Sequence, residues 1–235
     1  MEYDGAAFAG WAKQRGERTV EEELERAVER IARERPALVV AGRTDRGVHA
    51  LGQVVSFATD REPPTAKSLN AVLPRDVAVL EVERARDGFD ARRDATSRTY
   101  RYRLLLTPTR SALRRGRALW WPRAVDEEAL HACAAALHGA HDFRAFTPAE
   151  TYHLRFVRDI LDARWERGSD ELAFWIEGDT FLRHMNRVLV GTMLEVAGGR
   201  RSLEDFERLL RGADRREAGE TAPAHGLCLA AVRYP

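Results

Sequence analysis

With 235 residues, 44% of them hydrophobic, the chain can build one large domain or two smaller lobes, and a formal net charge of +1 does not by itself point to a polyanionic partner. Its two cysteines, Cys133 and Cys228, have no C-x-x-C spacing, which argues against a disulfide framework. No apolar run approaches the roughly 18 residues that span a bilayer, and MEYDGAAFAGW at the start has no basic region followed by an apolar stretch, so a soluble, cytoplasmic protein with no membrane partner is expected.

Met1 to Tyr3 read as a strand stub. Thr19 followed by Glu22 predicts a capping box, Val20, Leu24, Val28 and Ile31 line one face of the helix it opens, and Pro36 ends that helix. Strands are expected at 37–41 and 53–58, a short helix from Thr65 to about Pro74, and strands at 77–83 and 98–106. The order β-α-β-β-α-β, with one strand added, is a ferredoxin-like split βαβ pattern. The second half is a looser echo. Asp126 caps a helix with an apolar face of Leu130, Cys133, Ala134 and Leu137, stopped by Gly139. A hairpin covers 155–166 and 171–177, and Phe181 to Val196 have helical spacing up to Gly198-Gly199. Ser202 and Asp205 box a further helix, and GLCLAAVRY is a closing strand. The expected fold is α/β of the α+β kind: two ferredoxin-like lobes, 1–106 and 107–235, around a mostly antiparallel sheet, with a groove between lobes for a large ligand.

The neutral total hides a local asymmetry. Residues 84–123 hold twelve Arg and no Lys against three acids. Such a stripe is either a salt-bridged surface or a nucleic-acid footprint, and charge alone does not decide. Only Lys13 and Lys67 are lysines; arginine is the better group for bidentate phosphate contacts and base stacking.

The segment AGRTDRGVHALGQVVSF, 41–57, places one acid, Asp45, between Arg43 and Arg46 on a glycine-bounded turn. Its glycine spacing is that of a P-loop, but Val48 and His49 stand where Lys and Ser/Thr would hold phosphate and metal. Zinc could draw on Cys133, His138, His141, His225 and Cys228, yet Cys133 falls on an apolar helix face, so no metal site is expected. On the residues alone, Asp45 is either a turn carboxylate bonding backbone N–H groups or a reactive acid. Tyr100 and Tyr102 alternate with Arg101 and Arg103, as in an amphipathic strand or a surface that stacks RNA bases. Arg187 could simply be solvated.

Six segments taken together, EYDGAAFAGW, AGRTDRGVHALGQVVSF, SRTYRYRL, HDFRAF, FLRHMNRVLVGTMLEV and APAHGLCLAAVRYP, resemble the tRNA pseudouridine synthase A family in order and spacing, nearly end to end. The resemblance implies the pseudouridine synthase fold and conversion of uridine to pseudouridine at positions 38, 39 and 40 of the tRNA anticodon stem-loop. It puts the nucleophilic aspartate at Asp45, the active-site tyrosine at Tyr100 and the aspartate-pairing arginine at Arg187. Arg43 would hold the flipped-out site, and His49 and Arg101 are expected to face the substrate with Tyr100. It also implies a homodimer with one tRNA spanning both subunits. Ala6, Ala9, Ala12, Glu22, Arg183 and Asn186 depart from the family's usual residues, and against the family's pattern the first strand is either short or begins upstream of Met1. The reaction breaks N1–C1′ and joins C5 to C1′, with no oxidation or hydrolysis, so no cofactor is expected. Attack at C1′, addition at C6, or deprotonation at C2′ each needs an ionised carboxylate.

Overall fold

The computed structural model describes residues 1–151 and 153–235. The chain divides into two compact units, Met1–Arg98 with Cys228–Pro235, and Thr99–Leu227.

The first unit opens with β1 (Glu2–Tyr3) and α1 (Val20–Ala32). The expected capping box is not formed. Thr19 precedes the helix without a side-chain cap bond, and Glu22 instead binds Arg26 one turn on, at 2.6 Å. The carbonyls of Gly10 and Trp11 take the first helical N–H groups, those of Val20 (3.3 Å) and Glu21 (3.1 Å), so a cap from elsewhere in the chain replaces the local one. The helix ends at Ala32, where Arg33 turns left-handed (φ 58°), before Pro36 can act. Next come β2 (Val39–Val40), β3 (His49–Ala50) and β4 (Val55–Ser56). β2 pairs with β4, while β3 lies antiparallel to β1 with Tyr3 opposite Ala50. α2 (Ala66–Asn70) opens with a capping box formed by Thr65 and Ser68. β5 (Val77–Ala78) pairs with β1 and stops well short of the expected 83. The Asn70 side chain explains this: it donates to Val79 O and accepts from Val79 N, both at 2.8 Å, and so takes the place of a strand partner.

The second unit takes up β6 (Ser97–Leu105) from Thr99 onward, and β7 (Leu119–Trp120) runs parallel to its end. Asp126 caps α3 (Glu127–Ala135) by accepting from Ala129 N, and Leu130, Cys133, Ala134 and Leu137 are buried as the periodicity predicts. β8 (Gly139–Asp142) lies antiparallel to β9 (Val157–Arg167), which forms a hairpin with β10 (Glu171–Gly178). Strand order in this unit is β6-β10-β9-β8.

The expected helix from Phe181 begins later, as α4 (Met185–Ala197). Asp179 takes the Thr180 N–H on its carboxylate (2.6 Å), and His184 adopts φ 62°, so the chain turns before it can coil. The core side chains Val188, Leu189, Thr192 and Met193 line α4, and Gly198 and Gly199 (φ 70°) end it. α5 (Leu203–Leu209) is capped by Ser202, whose Oγ accepts from Asp205 N; Asp205 turns its own carboxylate to Arg201 and Arg208 rather than completing a box. A Cβ built on Gly191 would lie 1.8 Å from Glu220 O, so the segment after α5 rests directly on the α4 backbone. Gly191→Ala is therefore expected to lower stability by about 1–3 kcal/mol, read as a lower urea midpoint with an unchanged slope.

β11 (Leu227–Arg233) returns the chain to the first unit, where it runs parallel to β3 with Cys228 opposite His49 and Leu229 opposite Ala50. Among the described residues no helix is long and apolar enough to cross a membrane.

Candidate active site

The Asp45 loop is shaped by the N-terminal segment that lies against it. Trp11 N donates to Thr44 O (3.0 Å) and Gly47 N donates to Phe8 O (3.3 Å). Val48 N closes a turn onto Asp45 O at 3.1 Å, and Gly47 supplies the positive φ of 78° that this turn requires. Two other glycines allow the approach. A Cβ on Gly10 would stand 2.8 Å from Thr44 O, and one on Gly5 would stand 2.0 Å from Val48 O.

A buried polar chain grips the loop from below. The Tyr3 hydroxyl meets Thr44 Oγ1 at 2.8 Å, and Gln53 Nε2 donates to Tyr3 Oη (3.2 Å) and to Gly42 O (2.8 Å). Burial pushes the Tyr3 hydroxyl up to about 12, so it stays protonated across ordinary pH. Thr44 is buried, Arg43 exposed and Asp45 half-buried. The guanidinium of Arg46, which follows Asp45, binds Glu17 at 2.9 Å. His49 is buried under the loop, where Nδ1 accepts from Gly5 N (3.0 Å) and lies 3.1 Å from Asp4 Oδ1. Gln53 is 1% exposed and acts as this loop's strut.

In the second unit, Tyr100 points into the buried face of β6, its ring edge-on to Phe181 with centroids 5.1 Å apart. Tyr102, two residues on, shares that face. Its hydroxyl donates to Pro223 O (2.8 Å), and burial drives its pKa upward while the Arg187 charge opposes the rise. Arg101 lies on the other face of the strand with its guanidinium carbon 5.3 Å over the Trp175 ring. Arg187, in the first turn of α4, is clamped from two sides: Nε donates to Ala222 O at 2.8 Å, and its own carbonyl accepts from Ala222 N at 3.0 Å. Gly219 N donates to Thr192 Oγ1 (3.0 Å) and extends the clamp along the helix. Asn186, beside it, is buried rather than presented to solvent.

The arginine-rich stretch is not one surface. Arg103 makes a forked pair with Glu171, and Arg114 reaches Asp170 (2.7 Å) and Glu171 (3.2 Å). Arg86 binds Asp94 at 2.8 Å, and Arg98 is buried. Cys133 is a core thiol whose pKa burial pushes up to about 12, and among the described residues no group of three or more His, Cys, Asp or Glu is placed to hold a metal ion.

Residues that the motifs did not single out as functional support both halves: Tyr3, Gly5, Gly10 and Gln53 in the first unit, Phe181 and Ala222 in the second. The glycines of DGAAFAGW were their one visible signal.

A strand-supported loop that displays one carboxylate, on an α/β scaffold with an inward-facing tyrosine and a clamped arginine, agrees with what family comparison finds. The family model described as tRNA pseudouridine synthase matches residues 1–92 and 133–235. The chain belongs to that family of isomerases, which convert uridine to pseudouridine in tRNA. Across its whole length it is 43% identical to the tRNA pseudouridine synthase A of Thermus thermophilus, covering 94% of that protein. It is 40% identical to that of Geobacter sp. strain M21, covering 97%, and 42% identical to that of Methylobacterium nodulans, covering 94%, again over all of this chain.

Proposed function

We propose that this chain is a tRNA pseudouridine synthase that acts on uridines 38, 39 and 40 of the anticodon stem-loop, with Asp45 as its catalytic carboxylate. The observation that carries the reading is the Asp45 loop: a buried Tyr3–Thr44–Gln53 chain and two glycine contacts hold the turn that carries this half-buried acid. A carboxylate needed only for the turn would not call for that support from the N-terminal segment and Gln53.

In this reading the target base leaves its stack, at a cost of a few kcal/mol. Ionised Asp45 acts at the sugar or the base, N1–C1′ breaks, the uracil turns, and C5–C1′ forms. The C5 proton then departs and N1 gains one, so atoms and charge balance with no redox or metal step. Tyr100 stacks on the base and moves the C5 proton; Arg187 partners the Asp45 carboxylate; Arg43 keeps the flipped nucleotide out. His49 acts through the loop it supports, and Arg101 contacts the substrate backbone. The enzyme works in the cytoplasm as a homodimer with one tRNA across both subunits.

Purified protein incubated with transcribed tRNAs, without metal or cofactor, tests the assignment. Carbodiimide-blocked primer extension should stop at U38, U39 or U40 in several tRNAs of unrelated sequence, and not in isolated unstructured strands. Gln53 and Asn186, the amides nearest the motifs, are both buried, which suits recognition by shape rather than by base edges. Stops confined to another arm of the tRNA would overturn the position, and none at all would overturn the activity.

A further inference from the structure

The first unit holds a second feature tied to the Asp45 loop. Residues 90–94 form a single tight turn. Asp94 N donates to Asp90 O (3.0 Å), and Asp90 Oδ1 takes the backbone N–H groups of Arg92 (2.8 Å) and Arg93 (2.9 Å). Ala91 is the inward residue, 0% exposed. Its N–H donates to Ser56 Oγ at 3.0 Å, and its carbonyl accepts from the Tyr234 hydroxyl at 2.7 Å. Phe89 packs on the Tyr234 ring, with centroids 5.1 Å apart. The turn is thus fixed on several sides, while Arg92 and Arg93 stand side by side in solvent.

The nearby acids are largely used inside the turn. Asp94 holds Arg86 and the Asp90 N–H, and Asp90 holds the two amides, its other oxygen only 3.9 Å from Arg93. Two adjacent exposed cations on a rigid support, with one Asp90 oxygen tied to backbone amides and the other a long 3.9 Å from Arg93, form a surface suited to a polyanion backbone.

Arg98 joins this turn to the Asp45 loop. It is 5% exposed, a costly place for a charge unless its donors are satisfied. Nε and Nη2 donate to Ala41 O (3.1 and 2.9 Å), Nη2 also to Arg92 O (2.6 Å), and Nη1 to Ala95 O (3.1 Å). Ala41 is the residue from which the Asp45 loop departs, so one guanidinium fixes the base of that loop and the turn bearing Arg92 and Arg93.

Resting on the tRNA reading above, we propose that Arg92 and Arg93 are a phosphate-contacting surface for the RNA, and that Arg98 is the positioning residue that sets this surface against the Asp45 loop. Phosphates seated on the turn then place the nucleotide at a fixed reach from the carboxylate.

Fluorescence anisotropy of labelled tRNA across a salt series tests the surface. Arg92→Ala/Arg93→Ala should weaken binding about tenfold near 0.1 M salt and lower the slope of log affinity against log salt by about two. A wild-type slope in the double variant overturns the surface. This readout needs binding alone, so it stands apart from whether U38, U39 or U40 is modified. Arg98→Lys keeps the charge but cannot bridge three carbonyls. It should keep the salt slope yet lower kcat at saturating tRNA by at least about tenfold, on whichever uridine the wild type converts. Wild-type kcat in a folded Arg98→Lys protein overturns the positioning role. If Arg98→Lys fails to fold, Tyr234→Phe loosens the same turn through Ala91 and should weaken tRNA binding about threefold; unchanged affinity there overturns the claim that the turn's fixed position matters.

Discussion

Asp45→Asn is expected to lower single-turnover conversion of tRNA uridine by about a thousandfold or more, while tRNA binding stays level or tightens. The amide matches the carboxylate in shape and lacks the charge that every route for this isomerisation requires. The loop itself should survive the exchange. Its main-chain bonds at Thr44, Asp45 and Gly47 and the Thr44 hydroxyl contact with Tyr3 are not altered by the substitution. Removing a negative charge from a surface that receives phosphates also takes away repulsion, which is why affinity should not fall. The measurement pairs pseudouridine formation at saturating enzyme with anisotropy on the same tRNA. Activity within tenfold of wild type would remove Asp45 from the chemistry.

Tyr100→Phe carries the second large effect. The ring meets Phe181 edge-on at 5.1 Å, a contact that phenylalanine keeps, so the variant should fold as the wild type does. What it loses is the hydroxyl. If that group moves the C5 proton, turnover falls by about a hundredfold or more with affinity held, in the range usual for a lost general acid or base. Tyr100→Ala adds the loss of the ring and should weaken binding as well. Equal rates for Tyr100→Phe and wild type would leave the residue a stacking platform only.

Much of this molecule is legible in its sequence where structure depends on neighbours in the chain. The α3 face, the β9–β10 hairpin, the glycine stop of α4 and the closing strand follow from period and turn chemistry, and the structure has them. The misreadings share one cause. Thr19–Glu22 has the local form of a capping box, but the carbonyls of Gly10 and Trp11 take the first two helical N–H groups, those of Val20 and Glu21, from outside the helix. The strand expected to run to 83 stops at Ala78 because Asn70 fills its hydrogen bonds. The twelve-arginine stripe, which charge alone left open between a salt-bridged surface and a nucleic-acid footprint, is undecided for the same reason: Arg103 and Arg114 are taken by Glu171 and Asp170, which lie far along the chain. Charge counting sees the arginines and not their partners. The same limit applies at the site. The motif marks Asp45, but the residues that hold its turn, Tyr3, Gly5, Gly10 and Gln53, are linked to it only through the fold.

Strand β11 has a consequence for the order in which the protein can be made. It lies beside β3, and Leu229 O receives the N–H groups of Leu51 and Gly52 just past His49. Cys228 follows its partner His49 by 179 positions, so the loop-closure entropy of joining them is paid late. On the ribosome the second unit emerges complete while the first still lacks this strand. The Asp45 loop is synthesised well before residues 227–233 that pair beside it, so a nascent chain carries the acid long before it carries this part of its frame.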